Sequence, residues 1–258
     1  MTDSLTDAES GFGSTEPEHE LPKMTFLEHL EELRKRLIVS IIALGVAFLA
    51  CWNYADRIFG LLARPLSRFL PPGDKLVFTR LTEPFLLYMK VAFFAGIFVA
   101  SPIILWQLWL FIAPGLYKRE RRYAAPFIII ASLFFILGGW FGWRVLLPGT
   151  CAFFLETGKQ FKQMIKADEF FSFASMIILA TGLVFETPIL IFFLARFGIV
   201  TPAFLLQKFK WAIVLSFIIA AIVTPTPDMV TQTALALPMI GLYALGIGIA
   251  YLFGKKAT

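Results

Sequence analysis

The chain has 258 residues, of which 58% are hydrophobic and 16% are charged, and its mean hydropathy is +0.76. This composition excludes a water-soluble domain, because apolar runs of about 18 or more residues cross membranes as helices that satisfy their own backbone hydrogen bonds. The net charge of +5 does not indicate a nucleic-acid-binding protein, since the 23 Lys and Arg lie mainly in loops beside apolar runs.

The N-terminal segment, residues 1–22, is acidic and rich in Ser, Thr, Gly and Glu. It lacks the apolar stretch of a cleavable signal peptide, so we expect a disordered tail. Residues 23–253 are then expected to form the membrane domain, followed by a short cytoplasmic tail at 254–258.

An amphipathic helix is predicted next, on the cytoplasmic surface and continuous with the first apolar run. Its apolar residues recur at helical spacing and form one stripe: Phe26, Leu30, Leu33 and Leu37. Its polar side carries three glutamates followed by three basic residues: Glu28, Glu31, Glu32, Arg34, Lys35 and Arg36. These charges form either a solvated face with local ion pairs or part of a binding site.

Six apolar runs are predicted to span the membrane, which makes the fold an all-α integral membrane bundle. They cover about residues 37–54, 85–113, 126–147, 173–195, 209–223 and 231–253. An even number of spans places both termini on one side. Lys and Arg lie closest to the spans on that side, so both termini are predicted to be cytoplasmic.

The spans are uneven in length, and this predicts a concave bundle. The second run is longer than a bilayer requires, and Pro102 near its middle can bend it. The fifth run is short. The connections 55–84 and 148–172 are long enough to form helices that lie over the outer face.

A loop at residues 111–122, FIAPGLYKRERR, surrounds one carboxylate, Glu120, with four cations. Glu32 is predicted to lie at the same membrane face. Two carboxylates at one interface suit a ligand with two guanidinium groups, because each guanidinium can form a bidentate, charge-assisted pair with a carboxylate.

Glu186 lies inside the fourth predicted span. An unpaired charge at that depth costs at least about 2.5 kcal/mol, so the side chain should be protonated, paired or facing a wet cavity. It is either an acid hydrogen-bonded within the bundle or a functional group, and function is the default for an intramembrane acid.

The connection between the fifth and sixth spans contains two prolines followed by Asp228, which can cap the next helix. Gln232 follows at the start of the sixth span. It makes either an intrachain hydrogen bond or a contact with a helix of another protein. In the sixth span Gly241, Ala244 and Gly248 are spaced for close helix contact.

Enzyme chemistry has little support in the sequence. The two histidines, His19 and His29, lie in the tail and the surface helix, and no hydrolase, nucleotide-binding or metal-binding motif occurs. Cys51 and Cys151 are expected to be small buried hydrophobic residues. We therefore predict no enzyme, no cofactor and no metal.

Four motifs resemble the TatC family over about residues 24–253. They are HLEELRKRL at 29–37, FIAPGLYKRERR at 111–122, FETP at 185–188, and TPTPD at 224–228 with Gln232 after it. The resemblance implies a receptor for twin-arginine signal peptides and the core scaffold of the Sec-independent translocase. Such a translocase exports folded proteins across the bacterial cytoplasmic (inner) membrane with the proton-motive force. The implied partners are TatA- and TatB-type single-span proteins in a multimeric complex, besides membrane lipid.

The resemblance also implies roles for individual residues. It implies that four residues bind the signal peptide: Glu32, Glu120, Phe111 and Arg34. It implies that Thr224, Asp228 and Gln232 contact partner proteins. Pro65, Pro102 and Pro227 are implied to have structural roles. Glu186 matches the family's intramembrane acid.

Two other classes compete with this interpretation. A proton-coupled secondary transporter of a small solute could use Glu186 as a relay, but such transporters often contain two repeated halves and the sequence shows no internal repeat. An intramembrane hydrolase would need a nucleophile–base pair, for which the sequence offers no candidate.

Overall fold

The computed structural model describes residues 26–70, 75–112, 124–224 and 228–254, and within these ranges the chain is helical with no strand. The helices are α1 Phe26–Trp52, α2 Ala55–Ser67, α3 Glu83–Ile112, α4 Ala124–Phe141, α5 Leu147–Thr157, α6 Ala167–Phe185, α7 Thr187–Arg196, α8 Pro202–Gln207, α9 Phe209–Val223 and α10 Met229–Phe253. The expected tail at 1–22, Glu120 and Pro227 lie outside the described residues.

The predicted spans are confirmed. Five stretches are long and apolar enough to cross a membrane: His29–Trp52, Glu83–Phe111, Ile128–Thr157, Ala167–Arg196 and Met229–Phe253. The shorter apolar helix Phe209–Val223 supplies the sixth. Because α1 is one continuous helix, the amphipathic surface segment and the first span form a single rod.

The third span is longer than predicted. After α4 the chain continues through a five-residue π-helical segment, Gly142–Leu146, directly into α5. The predicted end at residue 147 is therefore wrong. Pro148 lies in the first turn of α5, directly after the π-helical segment, and the helix continues through it.

The fourth span consists of two helices rather than one. α6 ends at Phe185 and α7 begins at Thr187, with Glu186 between them. Pro188 occupies the first turn of α7, as Pro148 does in α5. The intramembrane acid therefore lies at a break in its helix.

One end of the bundle, here named the α2 face, is closed by α2 and two connections. Pro65, Leu62 and Leu66 of α2 are buried. Backbone hydrogen bonds from Val77 N to Ile165 O (3.0 Å) and from Ala167 N to Val77 O (2.9 Å) join the connection before α3 to the one before α6. The helix predicted within the connection 55–84 is present as α2, Ala55–Ser67.

α3 passes through Pro102 without interruption. A proline cannot donate to the carbonyl four residues earlier, here that of Phe98. The hydroxyl of Ser101 donates to that carbonyl at 2.8 Å. The adjacent serine therefore satisfies the acceptor that the proline leaves free within hydrocarbon.

Glycines bring α4 and the π-helical segment after it into close contact with α6. A Cβ on Gly138 would lie 2.5 Å from the Thr181 carbonyl oxygen, and one on Gly142 would meet the Thr181 hydroxyl. In α10 the contact glycine is Gly246, which faces Ile191.

The small residues expected to pack in the sixth span do not do so within the described chain. Gly241 and Gly248 meet nothing within 4 Å of an added Cβ, and both are exposed, as is Ala244. Cys51 and Cys151 are buried free thiols, as expected.

We predict that Gly142→Ala lowers the free energy of unfolding by about 1–3 kcal/mol, because the new methyl group overpacks the α4–α6 contact. Gly149→Ala is the matched control, since an added Cβ there meets nothing within 4 Å. Thermal unfolding of both variants in the same detergent measures the difference. Equal melting temperatures for Gly142→Ala, Gly149→Ala and the unmodified chain would contradict the proposed close contact.

A candidate binding site between α1 and α3

The start of α1 crosses the end of α3, and five side chains meet there. The His29 and Phe111 rings stack with their centroids 4.5 Å apart. Arg36 Nη1 donates to Gln107 Oε1 at 3.4 Å. Glu32 lies between His29 and Arg36 on the same face of α1, because residues three and four apart are neighbours on a helix. We name this group the α1–α3 seam.

Glu32 is only half satisfied in the seam. Its Oε1 accepts a hydrogen bond from Arg36 Nη2 at 3.1 Å, and its side chain is 15% exposed. Its Oε2 is buried and has no hydrogen-bond partner among the residues that the structure describes, and the same holds for Arg36 Nε. A buried acceptor without a donor costs about 1–3 kcal/mol, which a ligand that donates to Oε2 would recover.

The structure thus brings together two of the four residues predicted to bind a signal peptide, Glu32 and Phe111. Arg34 is exposed and lies on another face of α1, two residues from Glu32. Glu120 falls in the connection after α3, outside the described residues.

Sequence reasoning did not single out Arg36, Gln107 or His29. The spacing of Glu32 and Arg36, four residues apart on a helix, is a recognisable ion-pair signal. Gln107 is an isolated amide in an otherwise apolar stretch of α3, which could also have indicated a polar contact. The stacking of His29 on Phe111 has no signal in the sequence, because it depends on how α1 and α3 cross.

Glu186 is the second carboxylate with an unmet oxygen. Its side chain is buried at 9% exposure, and Oε1 has no hydrogen-bond partner within the described ranges. Among the carboxylates in those ranges, only Glu32 and Glu186 carry such a buried oxygen. Within the same ranges, no three His, Cys, Asp or Glu side chains are grouped as metal ligands.

The α9–α10 connection makes intrachain polar contacts. Asp228 Oδ1 caps α10 by accepting from Thr231 N at 2.7 Å, as predicted. Gln232 Nε2 donates to the Phe217 carbonyl of α9 at 2.9 Å, and the Thr224 hydroxyl donates to the Ala220 carbonyl at 2.8 Å. Gln232 therefore makes the intrachain bond, and its contact with a partner protein stays a prediction.

We predict that Asp228→Ala destabilises the chain by about 0.5–2 kcal/mol, because the first turn of α10 loses its side-chain cap. Asp228→Asn should keep most of that stability, since asparagine caps about as well. Melting temperatures in detergent test this pair. Equal losses in the two variants would show that the cap does not account for the effect.

Comparison with known proteins identifies the family. The family model described as "Sec-independent protein translocase protein (TatC)" matches residues 28–238. A protein of that name from Koribacter versatilis (strain Ellin345) is 46% identical over 239 residues, which cover 92% of this chain and 88% of the relative. One from Helicobacter pylori (strain J99) is 43% identical over 225 residues, covering 86% and 87%.

Solved structures match as well. The crystal structure of a twin-arginine translocase receptor, TatC, superposes with a TM-score of 0.77 at 36% identity, covering 87% of this chain and 99% of that one. A second crystal structure of a TatC receptor, in the detergent DDM, gives a TM-score of 0.78 at 35% identity, covering 88% and 99%.

Proposed function

The chain belongs to the TatC family of Sec-independent protein translocases, and on that premise we propose that its α1–α3 seam binds the arginine pair of a twin-arginine signal peptide. The single observation that carries this proposal is the buried Oε2 of Glu32, which has no hydrogen-bond partner among the residues that the structure describes. A transporter with Glu186 as a relay is not favoured, because the chain is a translocase subunit by family.

The seam already shows how a guanidinium fits. Arg36 occupies Oε1 of Glu32 and leaves Oε2 for a second donor. A guanidinium donates in a planar fork and stays charged, and a hydrogen bond to a charged group contributes about 1.5–3 kcal/mol. The rings of His29 and Phe111 one turn away offer a face on which such a planar cation can stack.

The second arginine of the signal would pair with Glu120. The connection that carries Glu120 begins directly after Phe111 and Ile112, so it leaves the bundle beside the seam. Two carboxylates at one rim would distinguish an arginine pair from a single cation. Arg34, exposed on the same stretch of α1, would contact other parts of the signal.

The remaining parts of the proposal concern assembly. Both termini would face the cytoplasm of a bacterial inner membrane, which places the seam where a precursor first arrives. The apolar part of the signal would follow the bundle into the bilayer. TatA- and TatB-type helices would gather beside the short α9, near Thr224, Asp228 and Gln232, in a multimeric complex. Transport would draw on the proton-motive force, with Glu186 as the intramembrane acid.

We predict that Glu32→Gln weakens binding of a synthetic twin-arginine signal peptide by about 10- to 150-fold, the equivalent of one charged hydrogen bond. The control is Glu31→Gln, because Glu31 is the neighbouring glutamate and is exposed. Fluorescence anisotropy of a labelled peptide, with the chain in lipid nanodiscs, measures both affinities.

A twin-lysine version of the same peptide should bind the unmodified chain more weakly, because a compact ammonium cannot stack on the rings of His29 and Phe111 as a planar guanidinium can. Equal affinities of the two glutamine variants, or of the two peptides, would count against recognition by the seam.

A further inference from the structure

An apolar groove opens between α1, α3 and α6 in the half of the bundle next to the α2 face. Its volume is about 620 Å³, within the range of about 300–1,000 Å³ usual for ligand sites. The lining is apolar except for Lys90 and Ser175: Ile41, Leu44, Gly45, Phe48, Met89, Phe93, Phe94, Ile97, Phe171 and Leu179 complete it.

The groove has a charged rim at its α2-face end. Lys90 Nζ donates to Asp168 Oδ1 at 2.6 Å, and the two side chains are 46% and 32% exposed. Lys90 starts inside a membrane span and extends its ammonium towards the first turn of α6, where Asp168 lies. The rim therefore presents one positive and one negative group side by side, both still accessible.

The dimensions of the groove fit one lipid chain rather than a helix. Its lining on α3 runs from Met89 to Ile97, about 12 Å at about 1.5 Å per residue. One leaflet of hydrocarbon is about 15 Å thick, half of a core of about 30 Å. A partner's transmembrane helix would need the full thickness and a channel about 10 Å wide.

We propose that this groove binds one acyl chain of a zwitterionic aminophospholipid in the leaflet on the α2 side. The phosphate of the lipid lies against Lys90, and the primary ammonium of the lipid lies against Asp168. The acyl chain lies along the apolar lining of the groove. An anionic head group would place a second negative charge beside Asp168 without a matching positive one. The neutral pair at the rim thus selects a head group that carries both signs.

Gly45 lines the groove proposed to hold the acyl chain, and a substitution at this position tests the proposal. An added Cβ at Gly45 meets nothing within 4 Å, so a larger side chain there would occupy the groove without a clash in the protein. Val46, the next residue, is 64% exposed and does not line the groove. A leucine at 45 therefore fills part of the groove, whereas a leucine at 46 only enlarges a lipid-facing side chain.

The experiment uses the full chain, delipidated in detergent and titrated with phosphatidylethanolamine or phosphatidylglycerol, with bound lipid counted by native mass spectrometry. The unmodified chain should retain phosphatidylethanolamine at least about tenfold more strongly than phosphatidylglycerol. Gly45→Leu should lose that retention by a similar factor and Val46→Leu should keep it. The double variant K90Q/D168N should bind both lipids alike.

Three results would overturn the proposal. The first is equal retention by Gly45→Leu and the unmodified chain. The second, which needs no variant, is a preference of the unmodified chain for phosphatidylglycerol. The third is cross-linking of Gly45→Cys to an added single-span helix while no phospholipid is retained, which would make the occupant a protein. The twin-arginine peptide assay is separate, since none of these residues belongs to the seam.

Discussion

Every polar group inside hydrocarbon needs a partner within the protein, and this requirement determines how the bundle is built. Most buried hydroxyls of the described residues meet it locally, by donating to backbone carbonyls of their own helix, although that of Thr231 does not. The hydroxyls that do so include those of Ser101, Ser132, Thr150, Thr181, Ser216 and Thr224. Hydroxyls bonded in this way do not tie one helix to another. Apart from a few side-chain contacts, such as Gln232 with the Phe217 carbonyl and Lys90 with Asp168, contact between helices rests on apolar packing and on close approach at glycines.

Against that background, the unmet carboxylate oxygens of Glu32 and Glu186 are distinctive within the described part of the chain. A buried acceptor atom without a donor costs about 1–3 kcal/mol. Glu32 lies near the start of the first span, whereas Glu186 lies at a break inside the fourth. The roles proposed for the two acids therefore differ: recognition at the rim for Glu32 and a function within the membrane for Glu186.

Much of the architecture could be predicted from hydrophobic run lengths, because a bilayer admits few alternatives to helices. The amphipathic start of α1, the short α9 and the cap at Asp228 also have local signals. The extension of the third span through a π-helical segment has no such signal in the sequence, because Pro148 is compatible both with the end of one helix and with the first turn of the next.

Contacts between distant helices were less predictable still. Small residues recur in α4 and in α10, yet Gly138 and Gly142 face a neighbour while Gly241 and Gly248 do not. Which set packs depends on how each helix is rotated, and an apolar sequence without periodicity does not record that rotation. The contact between Arg36 and Gln107 joins residues far apart in the chain, so it could be seen only in the folded bundle.

The most direct measurement is a structure of the chain in a lipid nanodisc with a twin-arginine signal peptide bound. The account predicts a guanidinium of the peptide within hydrogen-bonding distance of Glu32 Oε2, about 2.7–3.2 Å, with Arg36 still on Oε1. A bound peptide whose arginines both lie away from the α1–α3 seam, with Oε2 still unpartnered, would contradict it.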